Sequence, residues 1–276
     1  MLSPGSTFAG YEVERVVGAG GMGILYRARQ VRLDRPVALK LVEPELARDP
    51  VIRERLRREA RTVAALEHPN VAPLYEAGEE GGTVYIVTRW VEGTDLGTLI
   101  LSESPLEPGR AARIAAQIAA ALEVAHEKGL VHRDVKPSNV ILTHEDHAYL
   151  TDLGLAKRAE TAPGLTAVDQ MLGTVDYVAP ELIEGGEPDA RSDVYSLGCV
   201  LFEMLTGEAP FADQAGGMAK MWAQVNADPP SVRERRRDVP PALEDVMRRA
   251  MAKAPETRPT AAAFRADVLD AGGQPW

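Results

Sequence analysis

Cysteine is almost missing from this chain: Cys199 stands alone among 276 residues. An intrachain disulfide framework and a Cys-rich zinc site are thereby excluded, and the usage fits a reducing compartment. Long hydrophobic runs are missing too, since no stretch approaches the roughly 18 consecutive apolar residues that span a bilayer. The opening MLSPGSTFAGYEVERV lacks a basic start followed by an apolar core, so no signal peptide is expected. No internal repeat is found, and the 24 Gly and 20 Pro follow no fixed period, which excludes collagen-like and low-complexity chains. Excess positive charge is lacking as well, because 41 acidic and 31 basic residues leave a net −10. That balance argues against nucleic acid as a partner. The expected setting is the cytoplasm, with no membrane segment in the chain. Lysine is the scarce cation, at six residues against 25 arginines. Where Arg serves every generic need, a Lys in a suggestive place carries information, for its compact ammonium differs from the Arg fork.

What remains is an ordinary globular composition, 45% hydrophobic and 26% charged. Its length permits one large domain or two lobes with separate cores. Up to about residue 90 the pattern reads mostly as strands: 11–17 alternates, a glycine cluster follows, 24–29 alternates again, and Val37-Ala38-Leu39-Lys40-Leu41-Val42 is a short apolar run bounded by turns. One helix interrupts them over 51–66, with positions 52, 56, 59, 63 and 66 on one face. Further strands are expected near 71–76 and 83–90. Beyond Val91-Glu92-Gly93-Thr94-Asp95 the pattern turns helical: 110–128, then 194–205, apolar almost all round with Glu203 its only charge, then 241–251 and 260–269 with Thr260 as N-cap. The fold class expected is α+β, a small sheet-rich lobe joined to a larger helical one, with a ligand cleft between them.

Chemistry concentrates in a few strings. Gly18-Ala19-Gly20-Gly21-Met22-Gly23 fits G-x-G-x-x-G, whose bare backbone admits phosphates. Dinucleotide-binding folds share this string, and a plain glycine turn also satisfies it. The alternation after Gly23 makes a hairpin tip rather than the helix that a dinucleotide site requires. Lys40 is the only lysine in the first 127 residues, and Glu59 lies in the apolar stripe of the helix. An inward carboxylate is costly unless a cation meets it, which points to a Lys40–Glu59 pair. His132-Arg133-Asp134-Val135-Lys136-Pro137-Ser138-Asn139 crowds polar groups between apolar anchors, as a rigid catalytic loop does. Asp152-Leu153-Gly154 follows, and the amide of Asn139 with the carboxylate of Asp152 suits a hard cation. Blander expectations attach elsewhere: a solvated surface for the arginines of 231–239, an exposed turn for His144 and His147, core for Cys199, and an internally packed face for Met218, Met221 and Trp222.

The ordered set GAGGMG, VALK, HRDVKPSN, DLG and APE resembles the protein kinases, specifically the bacterial, eukaryotic-like Ser/Thr protein kinases, over about residues 8–270. The resemblance implies a bilobal kinase fold, with an antiparallel-sheet N-lobe carrying one main helix over 8–91 and a mostly helical C-lobe over 92–270. It implies transfer of the ATP γ-phosphate to Ser/Thr hydroxyls of protein substrates, with Mg2+ (or Mn2+) as cofactor. Val17, Gly18, Gly20, Gly21, Gly23, Leu25, Ala38, Thr88, Val91 and Ile141 would surround the nucleotide, and Lys40, steadied by Glu59, would hold its phosphates. Asp134 would be the catalytic base and Lys136 would stabilise the transferring phosphoryl. Asn139 and Asp152 would bind the metal. Arg133 beside the base implies control by phosphorylation at Thr166, or Thr161, of an activation segment closed by Gly173-Thr174, with homodimers serving trans-autophosphorylation. Glu181 would pair with Arg258, and Asp193 would hold the catalytic-loop backbone. The chain would be a cytoplasmic kinase or the cytosolic part of a receptor. Two rival readings are a pseudokinase and a dinucleotide-binding oxidoreductase. Survival of Lys40, Asp134, Asn139 and Asp152 speaks against the first, and the strand after the glycines against the second.

Overall fold

The computed structural model describes residues 1–20, 23–42, 50–154 and 175–273. Two compact units emerge. The first contains Met1–Glu67 and Val71–Glu92, the second His68–Asn70, Gly93–Leu153 and the described residues from 175 onward.

The first unit is a six-stranded antiparallel sheet with one helix. Its strands are β1 (Thr7–Phe8), β2 (Tyr11–Gly20), β3 (Gly23–Gln30), β4 (Arg35–Val42), β5 (Leu74–Glu80) and β6 (Thr83–Arg89), in the order β1-β2-β3-β4-β6-β5. Alternation along each strand divides the sheet into two faces. One face buries Tyr11, Val13, Tyr26, Ala28, Val37, Leu39, Tyr85 and Val87. Its phenols are satisfied there, for Tyr11 and Tyr85 both donate to the Glu76 carboxylate (2.5 and 2.6 Å). Burial first, and that carboxylate second, push the Tyr85 phenol up to about 12. The other face carries Lys40 between its cross-strand partners Leu25 and Ile86, and in the next row Ala38 between Arg27 and Thr88. Helix α1 (Pro50–Ala64) buries Leu56, Glu59, Ala60 and Val63. The strand expected near 71–76 starts later, at Leu74. Pro73 has no N–H to donate, and its carbonyl accepts from Arg89 N (2.9 Å), while Val71 and Ala72 are buried ahead of the strand.

The second unit is helical around one small sheet. β7 (Thr94–Asp95), β8 (Val140–Leu142) and β9 (Ala148–Leu150) pair antiparallel in that order. Asp95 caps α2 (Leu96–Glu103), a helix absent from the sequence expectation, by accepting from Thr98 N. Glu107 caps α3 (Pro108–Glu127), with Pro at its first position. Then come α4 (Pro180–Ile183), α5 (Ala190–Thr206), α6 (Gly217–Asn226), α7 (Val232–Arg235), α8 (Pro241–Ala250) and α9 (Ala261–Ala271). The largely apolar segment expected to be interior is α5. It opens on a capping box between Asp189 and Ser192 and closes on Gly207, whose φ of +86° suits glycine. It packs against α3, α8 and α9, with Cys199 fully enclosed. Thr260 caps α9 through Ala263 N, as the sequence suggests.

Two expectations are corrected. Met218 and Trp222 do lie on a helix, α6, but they are 74% and 65% exposed rather than packed internally. Residues 231–239 are not simply a solvated loop: Ser231 caps α7, and Arg236 donates to the carbonyls of Leu106 and Leu205. Among the described residues no helix is long and apolar enough to cross a membrane.

Candidate active site

The segment 132–139 runs between α3 and β8, and two devices fix its backbone. The first is Asp193, in the opening turn of α5 and 1% exposed. It accepts from the backbone N–H of His132 (2.8 Å) and Arg133 (2.8 Å), and His126 Nε2 of α3 meets it at 2.8 Å. A buried carboxylate needs such donors to offset its lost hydration, so the loop and the helix stabilise each other. The second device is the His132 ring. Its Nδ1 accepts from Asp134 N (3.2 Å) and its Nε2 faces the Thr151 carbonyl at 2.9 Å, which requires the Nε2–H tautomer. Arg133, between them, holds a φ of +68°, a region that side-chain-bearing residues visit only where surrounding contacts enforce it.

These restraints present Asp134. Its Oδ2 meets Lys136 Nζ at 2.8 Å and accepts from Asn139 Nδ2 at 3.2 Å, while the same amide donates to the Asp134 carbonyl at 2.7 Å. With Nδ2 so used, Asn139 retains Oδ1 as an acceptor. The β8–β9 register pairs Val140 with Leu150, and just beyond it Thr151 N–H donates to the Asn139 carbonyl (2.9 Å). Asp152 follows, exposed, at a φ of +58°. Asn139 and Asp152 thus share one end of a single hairpin. No group of three or more His, Cys, Asp or Glu among the described residues forms a metal site by itself. A Mg2+ held largely by phosphate oxygens needs only one or two protein oxygens, so this donor pair fits it. Leu153 is buried behind Asp152. Ile141, opposite Asp95 and Tyr149, faces away from the buried Val140 and Leu142. Gly93 lies against this hairpin, where a Cβ would come within 2.2 Å of the Leu142 carbonyl oxygen.

In the sheet unit, Gly18, Gly20 and Gly23 of the glycine string lie where β2 and β3 pair, with Gly18 opposite Leu25 and Gly20 opposite Gly23; Gly21 and Met22 lie outside the described residues. Val17 is the extra residue where the β2 register slips between Val16 and Gly18. Lys40, Leu25, Ala38 and Thr88 share one sheet face, and Val91, half-buried, follows β6. Glu59 is 8% exposed on the buried stripe of α1. Elsewhere Arg258 meets Glu181 with two parallel bonds (2.8 and 2.7 Å), and Ser192 donates to the same carboxylate at 2.6 Å. Burial alone would raise the Glu181 carboxyl, but these donors outweigh it and hold it below its usual value. Thr161, Thr166 and Thr174 lie outside the described residues.

Sequence reasoning passed over His126, Thr151, Ser192 and Gly93. His126 had one legible signal, a polar residue one turn after Leu122 on the buried stripe of α3. The others become visible only once the hairpin and the helix opening are formed.

Comparisons agree with this geometry. Residues 11–268 match the family model described as the protein kinase domain. The serine/threonine-protein kinase PknD of Mycobacterium tuberculosis is 43% identical over 256 residues, covering 92% of this chain and 38% of that protein. PknB of Mycolicibacterium smegmatis is 40% identical over 275 residues, covering 98% of this chain and 44% of that one. The chain thus spans about two fifths of the length of these curated relatives. The crystal structure of the M. tuberculosis PknI kinase domain superposes with a TM-score of 0.79 at 31% identity, covering 99% of this chain and all of that one. With an α+β kinase fold and this loop, the chain belongs to the protein kinase domain family, as a serine/threonine kinase domain of the bacterial, eukaryotic-like type.

Proposed function

We propose that this domain transfers the γ-phosphoryl group of ATP to serine and threonine hydroxyls of protein substrates. The observation that carries this reading is the Asp134 carboxylate, set between Lys136 Nζ and Asn139 Nδ2 on a loop that Asp193 fixes from behind. The family uses ATP with Mg2+. In our reading residues 8–91 form the nucleotide-covering lobe and 92–270 the lobe that presents the substrate, in a cytoplasmic setting.

Asp134 aims the substrate hydroxyl and takes its proton as the new oxygen–phosphorus bond forms and the bond from the γ-phosphorus to the bridging oxygen breaks, that oxygen leaving with ADP. Lys136, a point charge already beside that carboxylate, neutralises charge gathering on the transferring group. Lys40, paired with Glu59, holds the nucleotide phosphates, and Val17, Gly18, Gly20, Gly21 and Gly23 lie over them. Leu25, Ala38, Thr88, Val91 and Ile141 enclose the adenine. The metal, when bound through Asn139 and Asp152, supplies charge neutralisation at the phosphate oxygens. Arg133 takes a phosphothreonine, Thr166 first and Thr161 second, so that autophosphorylation between two copies switches the domain on. Thr174 and Lys136 together favour Ser/Thr over Tyr acceptors.

The test is labelled-ATP transfer to a generic basic protein by the wild type and by Asp134→Asn. Transfer is expected to fall by about 100- to 10,000-fold, the usual weight of a general base. Nucleotide binding should stay within about twofold, because the change leaves the phosphate cradle intact. Labelling at the wild-type rate by the variant would overturn the assignment. Phosphosite mapping after autophosphorylation tests the switch, and an unmodified 161–174 segment would remove it.

A further inference from the structure

The sheet holds a cation–aromatic stack to which none of these roles has been given. Arg15 of β2 and Arg27 of β3 are direct cross-strand partners. Like charges so placed repel each other, so the pairing requires compensation. Trp90, the residue after β6, supplies it. The Arg15 and Arg27 guanidinium carbons lie 5.5 and 5.3 Å from its ring centroid, within cation–π range. Two carboxylates complete the arrangement, with Arg27 Nε 3.1 Å from Glu14 and Arg27 Nη2 3.1 Å from Glu92. The Trp90 Nε1–H is buried and has no hydrogen-bond partner among the described residues, which leaves the two guanidinium contacts as the polar interactions of the ring. Arg27 stands opposite Ala38, which stands opposite Thr88, two residues before Trp90. By strand alternation the stack therefore belongs to the face that carries Lys40 and Ala38.

We propose that Arg15, Trp90 and Arg27 form a clamp that positions ATP. It ties the two strands of the glycine hairpin to Trp90-Val91, so that the nucleotide meets a surface already ordered. This rests on the reading of Thr88 and Val91 as the adenine-binding segment. Trp90 is a positioning residue here, not a catalytic one. Without its ring the paired arginines push the strands apart, and the cost of ordering them moves to the binding step. The loss then appears in KM for ATP and in nucleotide affinity, while kcat stays.

The experiment compares the full chain with Trp90→Leu, Trp90→Phe and Arg15→Gln, measuring steady-state transfer to a basic protein and equilibrium binding of a fluorescent ATP analogue with Mg2+. Trp90→Leu should raise KM for ATP and the analogue's Kd about tenfold, the weight of two partly desolvated cation–π contacts. Its kcat should stay within about twofold. Trp90→Phe keeps an aromatic face and should recover most of the affinity, and Arg15→Gln should fall between. Unchanged affinity in Trp90→Leu, or a kcat loss at constant KM, overturns the clamp, as does a Phe variant as weak as Leu. Should Trp90→Leu fail to fold, Arg15→Gln at its exposed strand position decides alone, with wild-type affinity counting against the clamp. A wild type that binds no analogue would instead remove the ATP reading and the clamp with it.

Discussion

Arg258 is the largest fully enclosed side chain among the described residues, at 1% exposure, and all five of its N–H donors are used. Nε donates to the Ala252 carbonyl, Nη1 to Glu181 and the Arg191 carbonyl, and Nη2 to Glu181 and the Lys253 carbonyl, between 2.7 and 3.0 Å. Its guanidinium also lies over the Tyr195 ring at 4.9 Å. A buried cation so thoroughly bonded cannot relax into water when its counter-charge goes. Glu181→Gln should therefore destabilise the protein by about 3 kcal/mol or more at pH 7, the usual cost of breaking a buried ion pair from one side. The pH dependence follows from the lowered Glu181 carboxyl. Its contribution is fully present above the ordinary glutamate value of 4.5 and is lost as pH falls through the lower folded value. Urea denaturation of both proteins at pH 7 and in steps below 4.5 checks this. The gap should narrow in acid, and a constant gap would mean that Arg258 does not draw its stabilisation from an ionised Glu181.

At the scale of elements, α6 shows what a sequence can and cannot disclose. Its apolar residues are plain at helical spacing, yet the pattern does not say what covers them, and nothing among the described residues covers Met218 and Trp222. What holds α6 is polar and distant in sequence. Gln224, fully buried, donates to the Asp176 carbonyl at 2.8 Å, and Lys220 meets the Asp176 carboxylate at 2.6 Å. The Tyr195 hydroxyl donates to Gln224, and Lys253 Nζ donates to the Gln224 carbonyl at 2.7 Å. By contrast, α5 was legible because a segment apolar almost all round, with Glu203 its only charge and Gly207 after it, belongs to an interior helix. The catalytic loop was legible because polar residues so dense between apolar anchors need a purpose. Its brace was less so, for the His126–Asp193 contact joins residues 67 apart. Lys253 makes this polar anchorage testable. Burial pushes its ammonium down to about 8 from 10.5. Between those values the unfolded chain binds more protons than the folded one, so raising the pH through that window favours folding. Measured against Lys253→Met, the wild type should gain stability from pH 8 to 10.5, a gain reduced by partial solvent screening. Parallel stability curves for the two proteins over that range would sink the expectation.

For the whole molecule, the governing quantity is a net charge of −10 in a chain that we read as binding a polyanionic nucleotide. The field of such a chain opposes free ATP and opposes it less once a divalent cation has neutralised part of the phosphate charge. Lys40 and Lys136 act only at close range, so the cation sets how much of the binding energy survives the long-range repulsion. Ligand binding to the folded state alone adds stability by mass action, about 2.7 kcal/mol when the ligand stands at 100 times its Kd. For a chain of this size that corresponds to a rise in Tm of roughly 5–10 °C. Thermal unfolding with MgATP should show this rise, and ATP with EDTA should show a small fraction of it. Asp152→Asn should remove most of the difference between the two conditions. Its own Tm without ligand should stay close to the wild type, since Asp152 is exposed and surface changes usually shift stability by less than about 0.5 kcal/mol. Added salt should narrow the gap by screening the long-range field while sparing contacts at the hairpin end. Equal rises with and without the metal, or an Asp152→Asn protein that still distinguishes them, would show that the oxygens of Asn139 and Asp152 do not hold the ion.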